Sequence, residues 1–229
     1  MKIIESRVIS SGKNACVRFI RINPEDLTET LSDILKTIMD LSWLNNFDKD
    51  FLVQSFEECA KITINDIKAK FEAFDGGKLT KDAGEYVVSE LAREAMVNEL
   101  KYLDIPLAEL VGKKVSGNPG FDFHSQNPNT DTVIFGEAKF VANQSAYAKA
   151  VNQIYDFIEE KKDIKDIKDL EHFCTDKALR RASAGSKGFA AAFSAKSTSS
   201  DRIIASITTM DNYKKLLQYE EIILVAVNL

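Results

Sequence analysis

Gly120-Phe121-Asp122-Phe123-His124, followed by Thr132-Val133-Ile134-Phe135-Gly136-Glu137-Ala138-Lys139-Phe140, is the stretch on which the fold turns. The first run alternates apolar and polar residues after the turn Gly117-Asn118-Pro119-Gly120, and the second is apolar from Val133 on except at Glu137 and Lys139, so both read as strands. Asn127-Pro128-Asn129-Thr130-Asp131 between them has the composition of a hairpin connection. Side chains alternate along a strand, so Glu137 and Lys139 point to one side. If the two strands pair as a hairpin, Asp122 falls beside Glu137. Charges inside such an apolar run are disfavoured unless they are paired or functional, which argues against a solvated surface ion pair.

Two carboxylates held close repel each other unless a cation sits between them. Mg²⁺, or Mn²⁺ in its place, suits that position, because it takes one or two carboxylates, keeps several waters and accepts substrate phosphate oxygens. Asp122, Glu137 and the Ala138 carbonyl are the candidate metal ligands, and Lys139 is placed to orient the attacking water and add positive charge. His124 shares a side with Asp122 and is expected behind the metal ligands rather than among them. Gln153 on the following helix could approach a substrate, whereas Tyr155 is expected to pack.

Outward from this stretch, residues 1–22 read as one or two strands. Pro24-Glu25-Asp26 opens a helix to Asp40, and residues 42–75 look mostly helical, with Phe51, Ser55, Cys59 and Ile62 recurring every three or four positions. Asp75-Gly76-Gly77 is a stop. Thr80-Lys81-Asp82 caps a long helix over 83–103. After the central strands a helix is expected over 142–162, polar helical structure over 163–181, a Ser/Ala/Gly-rich loop over 182–200, a strand over 202–208, a helix over 211–218 and a strand over 221–227. This order predicts an α/β protein: a mixed central sheet flanked by helices over residues 81–229, preceded by a mostly helical extension over 1–80 suited to docking a partner.

The bulk composition agrees with a packed domain: 229 residues, 45% apolar and 28% charged. Three single cysteines, with no CxxC pair, predict reduced thiols. The start lacks the apolar core of a signal peptide and no run is long enough to span a bilayer, so a soluble cytoplasmic protein is expected. The net charge of −5 disfavours a nucleic-acid partner at first sight, yet residues 161–215 hold 12 Lys/Arg against 7 Asp/Glu. A basic face of that kind still binds a phosphate backbone. The Arg180–Gly188 stretch reads equally as a phosphate clamp and as a surface loop. No P-loop, GxSxG or HExxH spacing occurs, so any use of ATP falls to a partner.

Gly120-Phe121-Asp122 followed by Gly136-Glu137-Ala138-Lys139 resembles the PD-(D/E)XK, or restriction-endonuclease-like, nuclease superfamily. The resemblance implies a helix–strand–strand–strand–helix–strand core and Mg²⁺-dependent hydrolysis of DNA phosphodiester bonds. Phe121 stands where that pattern often has proline. The resemblance also implies a glutamate on the upstream helix, assigned to Glu94 with Glu90 as the alternative. More narrowly, Gly-Phe-Asp-x-His with Phe-Gly-Glu-Ala-Lys-Phe is similar to the HamA nuclease subunit of Hachiman anti-phage defence systems, and the Leu-Ala-Arg-Glu helix and Lys113-Lys114 are compatible with it. That likeness covers about residues 85–155 and implies a helicase-like ATPase partner. A type II-like restriction endonuclease and a non-catalytic nucleic-acid-binding subunit on the same fold are the alternatives.

Overall fold

The alternation at the start of the chain becomes two antiparallel strands, β1 (Lys2–Ser11) and β2 (Cys16–Asn23), paired from Lys2 opposite Asn23 to Ser11 opposite Cys16 with register shifts between Ile3 and Glu5 and between Val8 and Ser10. These and the following elements come from a computed structural model, which describes residues 1–11, 15–72, 74, 79–112, 120–142, 144–196 and 198–229. The Asp75-Gly76-Gly77 stop, Lys113-Lys114 and Gly117-Asn118-Pro119 lie outside the described residues.

Asp26 caps α1 (Leu27–Met39) by accepting the Glu29 N–H at 2.9 Å. After a 3₁₀ turn (Ser42–Asn46) comes α2 (Asp50–Glu72). Its buried face is Ala60, Thr63, Ile64, Ile67 and Phe71, so the stripe expected through Phe51 and Ile62 is in fact its solvent side. Thr80 caps α3 (Lys81–Leu100) through the Ala83 N–H, as its sequence indicates. A short α4 (Ala108–Val111) precedes the central hairpin, β3 (Phe123–Asn127) and β4 (Thr132–Lys139). Then come α5 (Tyr147–Glu159), α6 (Lys162–Asp166), a 3₁₀ turn (Ile167–Leu170), α7 (Asp176–Ser183), β5 (Gly188–Ala195), α8 (Ser200–Thr209), α9 (Asp211–Leu216) and β6 (Glu221–Asn228).

The strands form one mixed sheet in the order β1-β2-β6-β5-β4-β3. Its four central strands run parallel, and an antiparallel hairpin strand closes each edge. Alternate side chains of each strand feed two cores. On one face Ile20, Ile134, Ala190, Ala192 and Ile223 pack with α1, α2 and α3. On the other, Phe19, Phe135, Phe189, Phe193 and Leu224 pack with α5, α7, α8 and α9. The protein is therefore α/β, a mixed six-stranded sheet with helices on both faces.

Two stretches differ from expectation. The stretch 188–195 is not a loop but β5, buried at every residue. Parallel strands covered on both faces lose the alternation that marks a strand, and the Ala-rich run Ala190-Ala191-Ala192 has low intrinsic strand preference. The stretch 202–208 is helix α8, in which Ile203 and Ile207, four residues apart, face the core. The boundary near residue 80 runs through one sheet and one core, because β2 pairs with β6 and α1 and α2 pack with α3. Between α3 and α5 the described residues hold two strands where the resemblance implies three. At the outer edge of β3 the Leu103 N–H donates to the Gln126 carbonyl at 2.9 Å.

Candidate active site

The β3–β4 ladder ends at Phe123 opposite Gly136, and that ending builds the site. One residue earlier, the Asp122 N–H still donates to the Gly136 carbonyl at 2.9 Å. The next inward N–H of β4, that of Ala138, has no strand opposite it. The Asp122 side chain takes its place, with Oδ2 accepting this N–H at 2.7 Å. A residue's N–H and C=O leave a strand on the same side, so the Ala138 carbonyl is directed toward Asp122 as well. Gly136 is required here because a Cβ would drive into the Phe123 ring.

Glu137 is 1% exposed, and Lys139 Nζ donates to its Oε1 at 2.6 Å. Lys139 also stands 3.9 Å from Glu85 Oε1 on α3. The three residues expected to act together are thus gathered at the carboxyl end of β4. They open onto a cleft of about 880 Å³ between α3 and α5, to which α2 and α4 add Lys70 and Glu109. Among the described residues, seven carboxylates and four lysines line it. Glu137 Oε2, Glu85 Oε1 and Glu109 Oε2 are buried there without a hydrogen-bond partner among the described residues, an arrangement that costs free energy unless something else satisfies them.

The electrostatics follow from that crowding. Burial first, and then the Asp122 charge, push the Glu137 carboxyl well above the ordinary glutamate range. Burial raises Asp122 to about 6 against the opposing pull of Lys139 and the Ala138 N–H. Burial and the neighbouring Asp122 raise Glu109 to about 8. Burial works against the Lys139 ammonium, but Glu137 and Asp122 outweigh it and hold its pKa above the usual lysine value.

The glutamate expected on the upstream helix lies apart from the cleft. Glu94 does not line the cleft; its charged neighbours are Glu90, Arg93, the N-terminal amine and Asp33. Glu90 is buried in an ion pair with Arg93, which also binds Asp104. Glu85 is the residue of α3 that reaches Lys139. Nine residues separate it from Glu94, roughly half a turn round the helix at 3.6 residues per turn. Glu109 was also missed. Lys81, Glu85 and Ser89, four apart, mark the cleft side of α3 in the sequence, whereas no local signal distinguishes Glu109.

His124 is buried outside the cleft, edge-on to Phe135 and with Nε2 3.4 Å from Asp166 Oδ2. Gln153 lines the cleft, while Tyr155 lies under the Lys215 ammonium, 4.1 Å from its ring centroid. The Arg180–Gly188 stretch is no clamp for this cleft. Arg181 binds Glu220 at 2.7 Å, and Lys187 is buried against Asp163. Gly188 pairs with Ile134 and Phe193 with Lys139, so the stretch lies at the opposite end of the strands, roughly 16 Å away at ~3.3 Å per residue. Cys16, Cys59 and Cys174 are free thiols.

The donor set fits a hard divalent cation, although among the described residues no three His, Cys, Asp or Glu side chains stand together as a metal-holding group. Glu137 is turned onto Lys139 and Asp122 onto Ala138, the protein's own donors. Mg²⁺ asks for only one or two carboxylates beside water and substrate oxygens, and the unpartnered Glu137 oxygen supplies a free acceptor. Among the described residues no helix is long and apolar enough to cross a membrane. Comparisons with protein-family models, with curated proteins and with solved structures found no match for this chain.

Proposed function

We propose that this protein is a Mg²⁺-dependent nuclease that hydrolyses DNA phosphodiester bonds in the cleft between α3 and α5. The observation that carries the reading is the meeting of Asp122, Glu137 and Lys139 beside carboxylate oxygens that lack partners. Asp122, Glu137 and the Ala138 carbonyl would hold Mg²⁺ or Mn²⁺, which when bound supplies Lewis-acid charge and acidifies a water. Lys139, already beside Glu137, orients that water or contacts a phosphate oxygen. Glu85 keeps the Lys139 ammonium over the carboxylates. Lys81 and Lys149, at the cleft's exposed margins, offer charge to flanking phosphates.

The acid excess of the cleft disfavours the alternative of a purely nucleic-acid-binding subunit, because a polyanion is repelled until a cation is present. On the narrower resemblance, the nuclease is the effector subunit of an anti-phage defence complex, held in check by a helicase-like ATPase. The test is nicking of supercoiled plasmid DNA in Mg²⁺, with and without a chelator. Wild-type protein should nick only with the metal. The Glu137→Ala/Lys139→Ala double variant, folded by circular dichroism, should stay at background. Equal cutting by the double variant refutes the assignment.

A further inference from the structure

Asp166 stands at the end of α6, outside the cleft, yet it grips the turn that delivers Asp122. Its Oδ2 accepts the Phe121 N–H at 2.9 Å. The Asp122 N–H points into the sheet toward Gly136, so the preceding N–H points away from β4 and would otherwise be lost to the ladder. The Asp166 carboxylate also fills the space beside Gly120, where an added Cβ would stand closer to it than real Cβ atoms come. The backbone on the other side of the turn is tied as well, since the Ala108 N–H donates to the Asp122 carbonyl at 3.1 Å. His124 Nε2, 3.4 Å from Asp166 Oδ2, stands on the same side.

We propose that Asp166 is a positioning residue, which fixes the Gly120–Phe121 backbone so that the Asp122 carboxylate meets Glu137 and a divalent cation in one geometry. The proposal rests on reading the cleft as a cation site. Asp166 touches neither the cation nor the substrate; it acts through its hydrogen bond to the Phe121 N–H and its contact with Gly120. Outer partners of metal ligands commonly carry roughly ten- to hundredfold in metal affinity.

The experiment is Mn²⁺ binding followed by electron paramagnetic resonance, together with amide hydrogen exchange at Phe121. Asp166→Ala should weaken Mn²⁺ binding by roughly tenfold and speed exchange of the Phe121 amide. Asp166→Asn keeps an oxygen for the same N–H and should stay within about threefold of wild type. Gly120→Ala should weaken binding in the wild-type background but add little to Asp166→Ala, because the carboxylate it would strike is gone. The proposal is overturned if Asp166→Ala binds Mn²⁺ as wild type does, if Asp166→Asn is as weak as Asp166→Ala, or if Gly120→Ala costs the same in both backgrounds. Wild-type protein that binds no Mn²⁺ would sink the cation-site reading and this proposal together. Wild-type binding with an indifferent Asp166→Ala sinks this proposal alone.

Discussion

Asp122→Asn is expected to reduce Mg²⁺-dependent DNA cleavage by about 10³-fold or more while raising the melting temperature of the metal-free protein by roughly 2–4 °C. Asparagine is nearly isosteric and keeps an oxygen for the Ala138 N–H, so the turn survives. What it removes is a buried charge that raises both Glu137 and Glu109. A bound metal contributes several kcal/mol of charge stabilisation to a phosphoryl transition state, and each ~1.4 kcal/mol lost is a tenfold drop in rate. Losing one of two carboxylate ligands therefore cripples cleavage. The same loss relieves repulsion in the empty site, where about 1 kcal/mol shifts the melting temperature of a chain this size by roughly 2–4 °C. Sites held for chemistry at the expense of stability behave this way. Steady-state cleavage assays and thermal melts in chelator check both halves. Retained cleavage would remove Asp122 from the chemistry, and a lowered melting temperature would make its charge structural.

The second large effect is on pH. In chelator, stability should fall as pH rises from about 5 to 8. Glu109 titrates at about 8 in the folded protein against an ordinary 4.5, and Asp122 at about 6 against 3.8. Between those values the folded state holds protons that the unfolded chain has already released, so raising the pH favours unfolding. The contribution is complete below the ordinary carboxylate values and is lost as pH climbs through the folded ones, on the order of a few kcal/mol in all. Millimolar Mg²⁺ should cancel most of the loss, because it binds the deprotonated carboxylates and stabilises only the folded form. Melting temperatures across this range, in chelator and in Mg²⁺, give the answer. A metal-free protein that gains stability from pH 5 to 8 would contradict it.

The central hairpin and its charged residues were legible because they break a local rule. Glu137 and Lys139 interrupt an apolar strand, and period-2 alternation already put them on one side. The cap at Thr80 is legible for a similar reason, since one side chain serves one orphan N–H. What the chain concealed depends on its surroundings. β5 is strand because helices cover both of its faces and Phe189 and Phe193 fill one core, not because Ala190-Ala191-Ala192 prefers that shape. α3 is buried along most of its length, including Ser89, Glu90 and Arg93, so its apolar stripe does not single out the cleft side and does not set Glu85 apart from Glu94 and Glu90. Glu109 and Asp166 reach the site only through tertiary packing, from a four-residue helix and from the end of α6. The outward face of α2 misled for the opposite reason: Phe51 and Ile62 recur at helical spacing yet are 66% and 57% exposed.

The most direct test is anomalous scattering from Mn²⁺ in a crystal of the wild-type protein. One strong peak is expected at coordination distance from Asp122 and Glu137 oxygens, with the Ala138 carbonyl among its neighbours and the Lys139 ammonium beside it. A cleft with no peak, in which Lys139 remains locked on Glu137, or a metal bound only elsewhere on the molecule, would contradict it.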